Sequence, residues 1–344
     1  MDRILTVDVG TQSLKACMVD NDLTTLERQQ VFYDPEVKKK TWVEIEAEVL
    51  WKAFVNGCRQ LKMAGDARAI SFSTLCPSLL PMDSDGNPLR PMVLHMDRRS
   101  YRQALWALNR VGEDKFLGTA GNLPIPGGIS LTSLLWVKEN EPFIYKRNDV
   151  IFGHAVTFFM KRLTGEFVID PSNASFTGLY DATGYGDWDD ELLTRLEIAR
   201  EKLPRVVMST TVVGKLKEEA AQAAGLPSEI PVVIGANDTT CSCVGAGVTE
   251  HGRLLNTSGT TDCLVLCLDR PLTSKNHLLR THAYPNRWLA MRIVGAGGAS
   301  LEWFRKGFCQ EMSQEFFYDE YLKKSLSSSS QPEARFHPFL SSMQ

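Results

Sequence analysis

Residues 8–15 bring a carboxylate, a glycine and several hydroxyl groups close together in the chain. An apolar run precedes them, so we expect Asp8 at the end of a buried strand with a tight turn after it. The glycine lets the backbone approach an anion, the hydroxyl and N–H groups donate to phosphate oxygens, and the carboxylate holds Mg²⁺ through water. An ordinary hairpin with an aspartate at its corner explains the pattern equally well. The candidate phosphate-binding residues are Asp8, Gly10, Thr11, Gln12, Ser13 and Lys15.

A second candidate is Asp238, which lies in segment 235–240 ahead of a run of small residues. We predict that it stands at a strand-to-helix junction. A carboxylate there can accept the proton of a substrate hydroxyl as that hydroxyl attacks phosphorus. The alternative is that Asp238 only caps the helix, and taken alone the pattern favours this alternative.

A third segment, residues 256–262, resembles the first in its residue types. Glycine and hydroxyl residues again predict a turn between two strand-like runs. Its candidate phosphate-binding residues are Gly259, Thr260 and Thr261. Two such hairpins, with an aspartate at a strand end between them, are hard to explain as coincidence. The combination favours phosphoryl transfer, which needs a base, a metal ion and accurate positioning.

The elements around these segments alternate between strand-like and helix-like patterns. The first thirty or so residues predict a β-meander, residues 45–63 a helix and residues 69–73 a further strand. Residues 231–235 predict a short buried strand, followed by a helix over 238–244 and a hairpin over 253–267. Interleaved strands and helices are typical of an α/β protein.

Composition excludes several classes of function. The net charge is −3, whereas a nucleic-acid-binding surface normally leaves a basic excess, so we expect no nucleic-acid partner. No segment approaches the roughly 20 apolar residues of a membrane span, and the N-terminus shows no secretory signal. We therefore expect no membrane partner and a cytoplasmic location with reduced cysteines. The pairs Cys241/Cys243 and Cys263/Cys267 invite a zinc hypothesis, but their spacing and apolar surroundings favour buried thiols.

Taken together, these segments resemble the FGGY carbohydrate kinases, a family that includes xylulokinase, glycerol kinase and gluconokinase. Residues 8–16 resemble the family's first phosphate motif and residues 253–261 its second phosphate hairpin. Asp238 falls where the family keeps its catalytic base. Further stretches match in consistent order up to about residue 305, namely residues 41–44, 96–99, 134–142, 162–166 and 170–175, followed by Trp188.

The resemblance implies an α/β fold of the actin/hexokinase/Hsp70-like ATPase type, built from ribonuclease H-like domains, with ATP and Mg²⁺ as cofactors. It implies an N-terminal kinase domain over residues 1–236 and the beginning of a truncated C-terminal kinase domain over 237–344. Mg²⁺ would lie near Asp8 and Asp238. For two of the implied acceptor residues, Asp97 and Arg98, a structural ion pair is an open alternative. The implied acceptor-side residues are Cys76, Pro77, Asp97, Arg98, Asn237 and Asp238.

Two positions depart from the family pattern. His95 replaces the aromatic residue ahead of the family's Asp-x-Arg segment. Pro77 stands where xylulokinases have a sugar-contacting histidine. The second departure weakens an assignment to xylulose, because discrimination between sugars depends on which hydroxyls find partners.

We therefore expect ATP-dependent phosphorylation of a small-molecule sugar, either a ketose, with a pentulose such as xylulose first, or a polyol. The alternative from another class is a catalytically inactive sugar-binding or scaffolding remnant on the same fold. Because the second domain stops short relative to the family, the 344-residue form is expected to be a poor kinase. The sequence leaves the oligomeric state open, and a homodimer is one expectation.

Overall fold

The computed structural model describes residues 3–258, 262–294 and 297–327. Its strands form four sheets, of six, five, four and two strands. Helices are interleaved with the strands, which confirms the predicted α/β class. In chain order the strands are β1 (Arg3–Val9), β2 (Ser13–Val19), β3 (Thr25–Phe32), β4 (Glu36–Lys38), β5 (Trp42–Ile45), β6 (Ala67–Thr74), β7 (Ser78–Met82), β8 (Met92–Leu94), β9 (Ile151–Gly153), β10 (Val168–Ile169), β11 (Arg205–Val206), β12 (Val212–Lys215), β13 (Pro231–Asn237), β14 (Leu254–Ser258), β15 (Asp262–Leu268), β16 (Leu278–Thr281) and β17 (Trp288–Val294).

The helices range from single turns to four turns in length. Short 3₁₀ segments cover Ala64–Asp66 and Arg200–Lys202, and π-helical turns cover Phe116–Ala120 and Phe317–Tyr321. The α-helices are α1 (Ala47–Gln60), α2 (Tyr101–Val111), α3 (Glu113–Lys115), α4 (Leu131–Asn140), α5 (Pro142–Tyr145), α6 (Ala155–Thr164), α7 (Pro171–Ala174), α8 (Asp190–Leu196), α9 (Glu218–Ala224), α10 (Asp238–Gly245), α11 (Gly297–Phe308), α12 (Gln314–Phe316) and α13 (Leu322–Ser327).

The six-stranded sheet has the order β12-β13-β6-β1-β2-β3. β1, β2 and β3 pair antiparallel, as the predicted meander requires, whereas β1, β6 and β13 run parallel to one another. Along β1 the side chains of Leu5, Val7 and Val9 are buried, and the residues between them are only partly buried. This alternation gives the sheet one apolar face, against which α1 and α6 pack.

The centre of that packing is aromatic. The rings of Phe54 in α1, Phe72 in β6 and Phe159 in α6 lie within 5.3–6.1 Å of one another, centroid to centroid. All three belong to the same hydrophobic cluster. Such contacts tie two helices from distant parts of the sequence to one sheet.

The four-stranded sheet has the order β14-β15-β17-β16, with every pair antiparallel. β14 and β15 form the hairpin predicted from the sequence, and its tip residues Gly259, Thr260 and Thr261 lie outside the described residues. A separate small core joins this sheet to α10, with Cys243 from the helix beside Val265, Cys267 and Met291 from the strands.

A buried charge network holds the five-stranded sheet β4-β5-β8-β7-β9 against the helices beside it. The Arg99 guanidinium donates to the Asp97 carboxylate at 2.7 Å, and its second nitrogen lies 2.8 Å from Glu44. Arg90 completes the network through ion pairs with Glu44 and Glu141. The Arg99 side chain is 1% exposed and lies 4.0 Å over the Trp42 ring. The Trp-x-Glu and Asp-x-Arg stretches of the sequence are therefore two parts of one structural network.

Arg99→Met is expected to lower the free energy of unfolding by about 3–5 kcal/mol, because it leaves the Asp97 carboxylate buried without its cation and removes one of the two arginines that pair with Glu44. Arg200→Met is the matched control, since Arg200 pairs with Asp187 and Asp190 at the surface and should cost at most about 1 kcal/mol. Urea unfolding at pH 7 measures both. Equal, small losses in the two variants would contradict a structural role for this network.

Candidate active site

The parallel pairing of β1, β6 and β13 brings three polar strand ends to one edge of the six-stranded sheet. Asp8 lies opposite Ser73, and Thr74 lies opposite Asn237. Because parallel strands all end at the same edge, residues far apart in the chain become neighbours there. Asp238 follows Asn237 directly, so the sheet places two carboxylates from opposite ends of the domain at one edge.

Asp8 is held from two sides. The Ser73 hydroxyl donates to Oδ1 at 2.8 Å, and the Lys15 ammonium donates to Oδ2 at 3.0 Å. Both charged side chains remain about one third exposed. They face a cleft of about 410 Å³ whose walls also carry Arg28 and Ser71. The cleft therefore offers one carboxylate and two cations to a ligand from solvent.

The turn between β1 and β2 is tight, as predicted. The Gly10 N–H donates to the Ser13 carbonyl at 2.9 Å, and the Tyr33 hydroxyl donates to the Gly10 carbonyl at 2.7 Å. Thr11 is half-buried and Gln12 is exposed at the tip. The Ser13 hydroxyl accepts from the Gln30 amide at 2.9 Å, which leaves its own proton available to another acceptor.

Asp238 is the first residue of α10, but it is not the N-cap of that helix. Asn237 has that position, and its Oδ1 accepts from the Thr240 N–H at 2.9 Å. Asp238 uses Oδ1 to accept from the Thr239 N–H at 2.6 Å. Among the described residues, no donor within hydrogen-bonding distance of Asp238 Oδ2 is found, nor an acceptor for the buried Asn237 Nδ2. The helix is capped without Asp238, whose second oxygen is available for chemistry.

The environment of Asp238 shifts its protonation. Burial is the main cause that raises the pKa of this carboxyl, the negative charge of Asp8 adds to it, and the Thr239 hydrogen bonds and Lys15 oppose it, so that the pKa is about 6. A carboxyl that is half-buried beside a like charge takes up a proton more readily than one in water. Asp238 is thus mainly ionised at neutral pH and can accept a proton with little penalty, which is typical of a general base.

The hairpin end of the four-stranded sheet lies close to Asp238. Burial raises the pKa of the Cys263 thiol in β15, and the nearby charge of Asp238 raises it further. At this end α11 begins at Gly297, where a Cβ would overlap the Asp262 carboxylate, so the helix can approach only through a glycine. The hairpin strands, α11 and Asp238 therefore converge from two different sheets.

Cys76 and Pro77 lie beside the Asp238 side of the cleft. The Cys76 sulfur is 3.6 Å from Nδ1 of the buried His154. Burial raises the pKa of the Cys76 thiol well above its usual value, and the charge of Asp238 adds to this effect. Pro77 lines a very small cavity together with His95 and Gly127.

Asp97 and Arg98 are placed differently from each other. The Asp97 carboxylate is 1% exposed and accepts from the Val43 N–H at 2.7 Å and from the Arg99 side chain, so a sugar hydroxyl cannot reach it in this conformation. The open alternative of an Asp–Arg structural pair holds, but with Arg99 in place of Arg98. The exposed Arg98 instead donates to the His95 carbonyl at 2.8 Å. Only Arg98 of the two stays a candidate for contact with an acceptor.

Sequence reasoning did not assign a role to His154, which lies at the centre of the acceptor side. It is 1% exposed, and its Nε2 is 2.8 Å from the Ser130 hydroxyl. Its side chain also accepts from the Thr157 N–H in a reciprocal cap at the start of α6. Burial lowers the pKa of His154 to about 3, so the ring is neutral. A lone histidine ahead of a helix belongs to no sequence motif, so its contacts with Ser130 and Cys76 could not be predicted.

The asparagine of segment 170–175 was also missed. Asp170 caps α7 by accepting from the Ser172 and Asn173 N–H groups, and Asn173 Nδ2 donates to Asp170 Oδ2 at 2.6 Å. The Ser172 hydroxyl accepts from the Asn237 N–H at 2.9 Å. This short helix therefore supports the residue next to Asp238.

All eight cysteines lie in the described ranges and carry free thiols. Within those ranges no group of three or more His, Cys, Asp or Glu side chains is placed to hold a metal ion. No helix of the described part has the length and apolar character to cross a membrane.

Comparisons with known proteins show the family to which this chain is similar. Residues 3–245 match the FGGY family of carbohydrate kinases, N-terminal domain. The xylulose kinase of Staphylococcus xylosus is 28% identical over 89% of this chain and 64% of its own length. The glycerol kinase of Thermococcus gammatolerans is 29% identical over 88% of this chain and 62% of its own length. This chain thus spans a little under two thirds of the length of these curated relatives.

A solved structure shows the fold. The ligand-bound xylulose kinase from Lactobacillus acidophilus superposes with a TM-score of 0.84 over 92% of this chain and 65% of that chain, at 24% identity. The predicted fold of the actin/hexokinase-like ATPase type is therefore confirmed.

Asp238→Asn is expected to stabilise the protein above pH 6. The folded pKa of about 6 exceeds the unfolded value, so the ionised carboxylate destabilises the fold. This penalty is absent below about pH 4, grows between pH 4 and 6, and reaches at most about 3 kcal/mol above pH 6. Urea unfolding should show the variant gaining on the wild type by about 1 kcal/mol at pH 4.5 and by up to about 3 kcal/mol at pH 8.

Asp189→Ala is the control for this comparison. Asp189 caps α8 by accepting from the Leu192 N–H and pairs with Lys115. Its loss should cost about 1 kcal/mol at both pH values. If Asp238→Asn behaves in the same way, Asp238 has a structural role and its environment is not strained.

Proposed function

This chain belongs to the FGGY family of carbohydrate kinases, and we propose that it transfers the γ-phosphate of ATP to a hydroxyl of a ketose or polyol. The observation that supports this function most strongly is the position of Asp238. Its raised pKa, and an Oδ2 that has no donor among the described residues, suit a base that acts next to a bound phosphate at the end of β13 beside Asp8.

In the proposed reaction the acceptor hydroxyl lies next to Asp238 Oδ2. The hydroxyl oxygen attacks the γ-phosphorus as its proton passes to Asp238, and the bond from the γ-phosphorus to the oxygen bridging to the β-phosphate breaks, so that ADP leaves. The N–H of Thr239 fixes Oδ1 at 2.6 Å and so orients the carboxylate. An acceptor held in this geometry is already oriented toward the phosphate, which lowers the entropic part of the barrier.

Asp8 and Asp238 fit the needs of Mg²⁺, which keeps several waters and takes one or two protein carboxylates together with phosphate oxygens. Asp8 borders the open cleft and remains about one third exposed, and Asp238 follows the end of a strand at the same sheet edge. When bound, the ion supplies neutralisation of charge on the β- and γ-phosphate oxygens. Lys15, released from Asp8, would then be available to the phosphate.

The two hairpins are proposed to hold the triphosphate between them. Thr11 and Ser13 have hydroxyl groups on the first turn. We propose the same role for Gly259, Thr260 and Thr261, which follow β14 in the chain and lie outside the described residues. Gln12 at the tip of the turn is proposed to present its backbone N–H group. The Gly10 N–H is already bonded to the Ser13 carbonyl, so Gly10 contributes by letting the backbone approach the phosphate. Support comes from the convergence of β1, β15 and α11 on Asp238.

On the acceptor side we propose Cys76, Pro77, Arg98 and Asn237. The buried Asn237 Nδ2 has no acceptor in the part of the chain that the structure describes and can donate to a hydroxyl of the substrate. Xylulose is the first acceptor to test, because one relative is named a xylulose kinase, and glycerol is the second, because another is named a glycerol kinase. We also propose a cytoplasmic location, in keeping with the free thiols, and the division near residues 236 and 237 stays a prediction.

Asp238→Asn is expected to lower kcat for the phosphorylated acceptor by about 10²–10⁴. In the wild type, kcat/KM for the acceptor should rise with pH through about 6 and level off above 7, because the base must be ionised. A coupled assay of ADP formation with xylulose, glycerol and a no-acceptor control measures both. Asp189→Ala should keep near-normal turnover. Near-normal turnover in Asp238→Asn would rule out its role as base.

Asp8→Asn is expected to raise the Mg²⁺ concentration for half-maximal ATP binding by about 10–100-fold. ATP binding without Mg²⁺ should stay the same or tighten, because Lys15 loses its carboxylate partner. Calorimetric titration of ATP at several Mg²⁺ concentrations separates the two effects. Asp20→Asn, in the turn between β2 and β3, is the control. An unchanged Mg²⁺ dependence in Asp8→Asn would remove Asp8 from the metal site.

A further inference from the structure

Arg280, in β16, is the largest side chain that is fully buried in the described part of the chain. Its guanidinium donates to the carbonyls of Gly128 at 3.0 Å, Ser175 at 3.1 Å and Leu279 at 3.3 Å. It also lies 3.8 Å from the centre of the Phe176 ring. Two of these carbonyls belong to loops of the six-stranded-sheet domain, whereas Arg280 belongs to the four-stranded sheet.

Arg280 has no carboxylate within ion-pair distance among the described residues. Burial lowers the pKa of its guanidinium to about 9, so it stays charged at neutral pH. A buried cation is costly unless its donors are satisfied. Here backbone carbonyls accept from both terminal nitrogens and an aromatic face lies against the guanidinium, whereas Nε has no acceptor among the described residues. A methionine or leucine would fill this space without that cost, so the guanidinium's specific contacts call for an explanation.

β16, the strand that contains Arg280, is also hydrogen-bonded to the domain that contains the six-stranded sheet. The Asn122 side chain donates to the Leu279 carbonyl at 2.8 Å and accepts from the Leu279 N–H at 3.1 Å, as a neighbouring strand would. The Thr281 hydroxyl donates to the Pro171 carbonyl at 2.6 Å. β16 therefore lies at the contact between the two sheets, and Arg280 is the charged residue of this strand.

The loops that Arg280 holds lead to the acceptor side. Gly128 follows Gly127, where positive φ (72°) and the absence of a Cβ let the chain pass against Arg98 and the His95 carbonyl. Phe176 follows Ser175, and its carbonyl accepts from the Ser130 N–H at 2.9 Å.

Ser130 connects the Phe176 carbonyl to the side chain of His154. Its hydroxyl meets His154 Nε2 at 2.8 Å, and His154 Nδ1 lies 3.6 Å from the Cys76 sulfur. Both loops under the guanidinium thus support proposed acceptor contacts, Arg98 through one loop and Cys76 through the other.

We propose that Arg280 is a positioning residue that fixes the two acceptor-side loops against the sheet carrying the second phosphate hairpin. The inference rests on the proposed function, because it concerns how that function's acceptor is held. The planar fork of arginine reaches two loops at once, which the single ammonium of lysine cannot do. Loss of the fork should therefore loosen the acceptor site and leave the nucleotide contacts largely unchanged.

The first test uses the whole chain without any ligand. Hydrogen exchange is compared in wild type, Arg280→Lys and the control Arg292→Lys, which changes an exposed arginine on the adjacent strand β17. Arg280→Lys should speed exchange by about tenfold or more at the Ser130 and Leu131 amides, which are bonded to Phe176 and Thr177. The core amides of β1 and β6 should be unaffected. Unchanged exchange at Ser130 and Leu131 would overturn the inference.

The second test separates positioning from general stability. With xylulose and glycerol as probe acceptors, Arg280→Lys should raise the acceptor KM by about 10–100-fold and change kcat and the KM for ATP by less than about threefold. A merely structural loss lowers the active fraction and leaves both KM values unchanged, and that result would overturn the inference. Failure of the proposed function is a different result, because wild type and Arg292→Lys would then also fail to phosphorylate either acceptor.

Discussion

The parallel pairing of β1, β6 and β13 is the constraint on which the site depends. Its register sets Asp8 opposite Ser73 and Thr74 opposite Asn237, so the chain must place Asp238 at the same sheet edge as Asp8. The buried face of this sheet, packed by α1 and α6, fixes that register, because a shift by one residue would turn the apolar side chains to solvent. Packing of the helices against the apolar face of the sheet therefore fixes the positions of Asp8 and Asp238 at its edge.

The electrostatics of the edge oppose its stability. Two carboxylates near each other, one of them half-buried, raise the pKa of Asp238 to about 6, and Lys15 relieves the repulsion only in part. Such strain is expected where a site is arranged for a ligand that brings its own counter-charge. The Arg99 network is the opposite case, since all of its charges are paired inside the protein and none is exposed to a substrate.

Features carried by local sequence could be predicted, and features made by distant contacts could not. The Asp8 turn, the second hairpin and the junction at Asp238 each lie within a few residues, so their residue types indicate their structure. The pairing of Asp97 depends on which neighbouring arginine turns inward, and sequence alone does not decide this. Arg280 meets carbonyls 105 and 152 positions earlier in the chain, and no local pattern signals contacts of that kind.

The central claim is that nucleotide and acceptor bind together at the sheet edge that carries Asp8 and Asp238. Hydrogen exchange of the protein with ATP, Mg²⁺ and xylulose or glycerol, compared with the ligand-free protein, tests it most directly. The account predicts joint protection of residues 8–15, of the start of α10 and of the β14–β15 hairpin. Protection confined to other surfaces, or none in these three segments at saturating ligand, would contradict it.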